Sequence, residues 1–133
     1  MCGIFAVFNY HADAEEYRRR ALELSKKLRH RGPDWSGCIV SGQHILAHER
    51  LAIVGVDSGA QPLTSADEAV ILCVNGEIYN HQQLRKQLKR RNVQFKTQSD
   101  CEVILHLYEE MGADMVNLLD GMFSFVLIDT RQQ

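Results

Sequence analysis

Three short segments constrain the fold most, because they are apolar on both alternating faces. They are Gly3-Ile4-Phe5-Ala6-Val7-Phe8-Asn9, the run from Ala69 to Val74, and the run from Met122 to Ile128. A strand with one wet face alternates apolar and polar residues. These segments do not, so each is expected to be covered on both sides. Two further strands are expected over 36–41 and 43–50, turning at Ser41-Gly42-Gln43. Doubly covered strands with helices between them imply stacked sheets with helices outside. The expected fold class is α+β.

The helices follow from period and punctuation. Over 13–30, Tyr17, Ala21, Leu24 and Leu28 recur at spacings of four, three and four, which makes one apolar stripe. Asp13 and Glu16 have capping-box spacing, and Gly32-Pro33 stops the helix. A short basic helix is expected over 81–91. Leu84 and Leu88 face inward there, and Arg85, Lys86, Lys89, Arg90 and Arg91 form a solvated face. Ser99 and Glu102 read as a second capping box, opening a helix that ends near Gly112. A short helix over 113–119 precedes the last strand. The stretch 57–68 reads as loop. Asn75-Gly76 ends the strand begun at Ala69, as a pair that favours a tight turn.

Composition narrows the function classes. The 133 residues suit one domain, and a hydrophobic fraction of 45% is enough for a core. Fifteen basic against 17 acidic residues leave a net charge of −2. That gives no reason to expect nucleic acid or an anionic membrane as partner. No apolar stretch approaches the roughly 20 residues that cross a bilayer. Met1-Cys2-Gly3-Ile4 lacks the basic start of a secretory signal. Cys2, Cys38, Cys73 and Cys101 are singly placed, which fits a reducing compartment and a cytoplasmic location. No histidine pair has helical metal-site spacing with a glutamate between, so no metal is expected.

Cys2 stands out chemically. Cysteine is small enough for Met1 to be removed, which would make Cys2 the true N-terminus. Its α-amine would then be a base beside its own thiol, and no separate histidine is needed. Position alone leaves this open against a cysteine that simply starts a strand. Arg50 is open between a surface arginine and a carboxylate clamp. Asp100 is equally explained by the dipole of the helix it opens. Cys38, Cys73 and Cys101 have no base nearby in sequence and read as core filler. His30 and His48 read as structural hydrogen-bonding residues.

Five stretches decide between these readings when taken together. They are Met1-Cys2-Gly3-Ile4-Phe5, His30-Arg31-Gly32-Pro33-Asp34-Trp35-Ser36-Gly37, and Ala47-His48-Glu49-Arg50-Leu51-Ala52-Ile53-Val54. Asn75-Gly76-Glu77-Ile78-Tyr79-Asn80 and Ser99-Asp100-Cys101-Glu102 follow. In this order they resemble the glutaminase domain of the glutamine-dependent asparagine synthetases. Those are class II glutamine amidotransferases, N-terminal-nucleophile hydrolases with an αββα sandwich. The resemblance runs from Met1 to about Asp129.

The resemblance implies roles. Cys2 is the nucleophile, with its α-amine as base, and it attacks the side-chain amide of glutamine. Asn75 and Gly76 form the oxyanion hole, supplying a side-chain NH₂ and a backbone N–H. Arg50 holds the substrate α-carboxylate. Backbone groups of Leu51, Ala52, Ile53 and Val54 line the pocket. Glu77 and Asp100 hold the α-ammonium. The chain needs no cofactor of its own. ATP and Mg²⁺ belong to a synthetase domain that uses the ammonia to make asparagine, and that domain is not in this sequence. Residues 1–133 are expected to be a partial glutaminase domain, its first two thirds, with the synthetase domain of the parent and a second copy as expected partners. A non-catalytic fragment or interaction module, and an amidotransferase with another acceptor, are the alternatives.

Overall fold

The computed structural model describes residues 1–52 and 59–132. Its strands are β1 (Gly3–Val7), β2 (Trp35–Ser41), β3 (His44–Arg50), β4 (Leu63–Thr64), β5 (Val70–Ile78) and β6 (Gly121–Asp129). Its helices are α1 (Ala14–Ser25), α2 (His81–Lys89) and α3 (Glu102–Met111). Short 3₁₀ segments follow α1 at Lys26–Leu28 and α3 at Gly112–Leu118. The strands form two antiparallel three-stranded sheets, in orders β1-β3-β2 and β4-β5-β6.

Side-chain alternation in the central strands sorts the interior into three cores. In β3, Ile45 joins Tyr10 and Ala21 of the α1 layer. Its neighbour Leu46 points the opposite way and packs with Ile71 and Cys73 of β5. In β5, Val70, Leu72, Val74 and Ile78 cluster with Leu84, Leu88 and Ile104 of the α2 and α3 layer. The layers therefore run α1, first sheet, second sheet, then α2 with α3. This is the αββα sandwich that the family resemblance implies, with the stacked sheets and outer helices expected from the strand pattern. Fully burying one such aliphatic side chain contributes about 1.5–3 kcal/mol, so both faces of β5 are needed to hold the stack.

Several boundaries differ from the sequence expectation. The first helix was expected to run to 30 and ends at Ser25. Asp13 caps it as expected, accepting from Glu16 N–H at 3.0 Å. At its end, Ser25 Oγ donates to the buried Glu49 at 2.8 Å, and the chain then tightens into the 3₁₀ segment. The basic helix stops at Lys89, and β4 appears as two residues inside the expected loop.

The largest correction concerns Asn75-Gly76. The pair is not a turn but lies inside β5, where Asn75 opposes Ser124 and Gly76 opposes Phe123. An uninterrupted ladder from Val70↔Asp129 to Ile78↔Gly121 overrides the local turn preference. Glycine is required there by packing, since a Cβ on Gly76 would lie 2.1 Å from Met122 O. Ser99 and Glu102 do not form a capping box either. The Glu102 carboxylate turns back to accept N–H bonds from Lys96 at 2.7 Å and Thr97 at 2.8 Å. No helix among the described residues is long and apolar enough to cross a membrane.

Candidate active site

At one end of the sandwich, between the two sheets, a cleft opens to solvent. Four separate stretches of chain deliver charged or reactive groups to it. Cys2, at the start of β1, and Arg50, at the end of β3, come from the first sheet. Asn75, Gly76 and Glu77 come from β5, and Asp100 from the turn before α3. These residues are far apart in sequence, and the fold gathers them on one wall system.

The Cys2 thiol is held by one backbone unit. Leu51 N–H donates to Cys2 Sγ at 3.3 Å, and Sγ donates to Leu51 O at 3.6 Å. Arg31 Nε donates to Cys2 O at 3.0 Å and fixes the backbone on the other side. Leu51 lines the cleft, with its backbone engaged by the Cys2 thiol. The Ala52 N–H is engaged elsewhere, with Asp34 Oδ2 at 2.9 Å. Ile53 and Val54 lie outside the described residues.

The β5 wall has a specific geometry. Odd-numbered residues of β5 pair with β6, and even-numbered residues turn their backbone groups to the opposite edge. On that edge Leu72 opposes Leu63 of β4. Beyond Leu72, β4 no longer follows, and side chains take over. Val74 N–H donates to Gln61 Oε1 at 2.6 Å. Ile78 N–H donates to Asp100 Oδ2 at 2.7 Å. Gly76 lies between these two, and by strand alternation its N–H points to the same edge, which borders the cleft. The Asn75 side chain points toward the first sheet, and its Oδ1 is buried with no hydrogen-bond partner among the described residues.

Charge is arranged asymmetrically. Arg50 is 7% exposed and supplies the cation. Asp100 is buried, whereas Glu77 stands exposed at the rim. A buried guanidinium and two carboxylates around one cleft match the zwitterionic end of an amino acid. Burial pushes up the thiol pKa of Cys101, which shares the cleft wall, and Asp100 beside it adds to the effect. Burial likewise pushes Cys73 up to about 12. Both stay protonated at neutral pH and are poor nucleophiles. Among the described residues no group of three or more His, Cys, Asp or Glu is placed to hold a metal.

Three contributors were not singled out from the sequence for the site. Gln61 and Ser99 line the cleft, and Arg31 grips the Cys2 carbonyl. Arg31 stands inside the His30 to Gly37 motif, so a signal existed. Gln61 carries none, because its contact with Val74 depends on where β4 stops. Arg85 corrects the expectation of a solvated basic face. Its side chain is 12% exposed, and Nη2 donates to Thr97 O at 2.9 Å and Ser99 O at 2.6 Å.

Comparison with known proteins gives the same picture at the level of sequence and fold. Residues 1–133 match the family described as "Glutamine amidotransferase domain". The chain is 59% identical over 131 residues to "Asparagine synthetase [glutamine-hydrolyzing] 1" of Arabidopsis thaliana, covering 98% of this chain and 22% of that protein. It is 63% identical over 129 residues to "Probable asparagine synthetase [glutamine-hydrolyzing]" of Schizosaccharomyces pombe, covering 97% and 23%. The chain therefore spans less than a quarter of the length of these curated relatives. Among solved structures, the glutamine phosphoribosylpyrophosphate amidotransferase of B. subtilis superposes with a TM-score of 0.76. That match is 22% identical and covers 98% of this chain and 35% of that one, so it bears on the fold alone. On the match across its whole length, the chain belongs to the glutamine amidotransferase domain family.

Proposed function

We propose that residues 1–133 act as a glutaminase unit that hydrolyses glutamine to glutamate and ammonia at Cys2. The observation that carries this reading is the meeting of the Cys2 thiol, the buried Arg50 and the carboxylates of Glu77 and Asp100 around one cleft. Arg50 receives the α-carboxylate of glutamine, and Glu77 and Asp100 receive its α-ammonium. The side-chain amide then reaches toward Cys2.

Removal of Met1 frees the α-amine of Cys2. The amine takes the thiol proton as sulfur bonds to the amide carbon. The carbonyl oxygen becomes an oxyanion, which accepts from Gly76 N–H and the Asn75 amide. The tetrahedral species collapses by breaking the C–N bond, and the amine returns the proton to the leaving nitrogen, which departs as ammonia. Water adds to the thioester by the same route, releasing glutamate and the thiol. Identity to asparagine synthetases supports one fate for the ammonia, the ATP-dependent conversion of aspartate to asparagine in a longer parent. A cytoplasmic setting would keep the thiol reduced.

Ammonia release from glutamine, measured beside Cys2→Ala, tests the reading. The expected result is turnover in the parent and none above background in the variant. Equal rates in both would leave Cys2 without a catalytic role and sink the proposal.

A further inference from the structure

We infer that Gln61 and His48 are positioning residues that hold the β5 edge open at Gly76. The inference rests on the reading of Gly76 N–H as an oxyanion donor, and it concerns what keeps that donor unpaired by a strand.

The register of β4 against β5 is Leu63↔Leu72 and Thr64↔Ile71. Continued in the same register, residue 61 would oppose Val74, and residue 59 would oppose Gly76. A strand partner there would consume the Gly76 N–H. The chain departs from β5 instead. The carbonyl of Gln61 is pressed against β2, close enough that a Cβ on Gly37 would lie 1.9 Å from it. Among the described residues no strand pairs with β5 at Val74 to Gly76 on this edge, which lines the cleft.

Leaving Val74 unpaired in the interior would cost about 1–3 kcal/mol for each orphaned backbone group. Two side chains remove that cost. Gln61 Oε1 accepts from Val74 N–H at 2.6 Å, and His48 Nε2 lies 2.7 Å from Val74 O. Since a carbonyl only accepts, Nε2 carries the proton. Gln61 is 6% exposed and His48 fully buried. His48 Nδ1 is buried with no partner among the described residues, so among them Val74 O is the ring's one hydrogen-bond partner. Burial lowers its pKa and outweighs the bond to Val74, while Arg50 adds to the lowering and Glu49 opposes it. The imidazole therefore stays neutral and serves as a fixed donor. Both side chains act on the one residue that precedes Asn75-Gly76. They stand in for a strand at Val74 and let the edge fall open two residues later.

The test compares Gln61→Met and His48→Leu, which remove the acceptor and the donor, with Gln61→Glu and His48→Gln, which keep them. In glutamine hydrolysis the first pair is expected to lose about 10²-fold in kcat with KM within about 3-fold, as for loss of one oxyanion donor. The second pair is expected to stay within about 10-fold of the parent. Raised KM at unchanged kcat in the first pair, or equal loss in all four, overturns the inference. Amide hydrogen exchange reads the same edge without turnover. In the parent, Gly76 N–H is expected to exchange at least about 10-fold faster than Val74 and Ile78 N–H. In Gln61→Met, Val74 loses protection and the Gly76 resonance moves. Equal protection of the three amides in the parent, or an unmoved Gly76 resonance, overturns the inference. A parent that releases no ammonia defeats the glutaminase reading, and exchange then decides this one alone. If His48→Leu does not fold, Gln61→Met carries the comparison.

Discussion

Arg50 is at once the end of a strand and a buried cation at the cleft, 7% exposed. Its proposed partner, a carboxylate, is planar, and a guanidinium meets it with two parallel hydrogen bonds. Lysine keeps the charge and loses the fork. Arg50→Lys is therefore expected to raise KM for glutamine at least about 10-fold, because a hydrogen bond to a charged group contributes about 1.5–3 kcal/mol. Steady-state kinetics at fixed salt checks this, with kcat changing much less than KM. A lower kcat at unchanged KM would instead place Arg50 in the chemical step. At this scale much of the site was legible. Cys2, Arg50, Asn75 and Asp100 carry their chemistry in their residue types and stand within motifs. Gln61 does not, since nothing in the sequence around Pro62 says which backbone group its side chain will meet. His48 was legible only as a residue needing a hydrogen bond, and Val74 O supplies it.

At the scale of elements, the segment entering α3 is held from two directions. Glu102 accepts from Lys96 N–H, Thr97 N–H and Thr97 Oγ1, and lies 3.3 Å from His106 Nε2. Arg85 stacks 4.1 Å over the Phe95 ring while donating to Thr97 O and Ser99 O. Together they pin 95–99 and so present Asp100 to the cleft. Burial by itself would raise the Glu102 pKa, but the bonds from His106, Thr97 and Lys96 outweigh it and hold it near about 2. The folded-state value is depressed below the ordinary 4.5. Its stabilisation is thus present above pH 4.5 and lost as pH falls toward 2. Glu102→Gln leaves a buried donor short of a partner, and is expected to cost about 1–3 kcal/mol at neutral pH. Thermal melts from pH 7 to pH 2 should show the gap between parent and variant narrowing below pH 4.5. A constant gap would mean that ionised Glu102 adds nothing. Sequence alone read Ser99 and Glu102 as a capping box, because the spacing is right. The prior claim of the Lys96 and Thr97 amides, just upstream, is visible only once the loop is folded.

Across the whole molecule, stacked sheets with helices outside were legible because β1, β5 and β6 are apolar in both directions, although only the central β5 is buried on both faces and the edge strands β1 and β6 are half-buried. Register was not. Asn75-Gly76 favours a turn locally, yet a nine-residue ladder with β6 keeps it in the sheet. That placement matters for function, because a strand edge sets the Gly76 N–H direction more rigidly than a turn would. The same sandwich brings the start of β1 beside the end of β3, and so sets the Cys2 thiol against Leu51. The other cysteines are spent in or near the cores, with Cys73 and Cys101 buried. Of the four cysteines, Cys2 alone lines the cleft without being buried. Rapid-quench mass spectrometry of the chain during glutamine turnover tests this most directly. The expected result is a chain without Met1 that carries a γ-glutamyl group on Cys2. A chain that keeps Met1 and still releases ammonia, or a γ-glutamyl group on Cys38, Cys73 or Cys101, would contradict it.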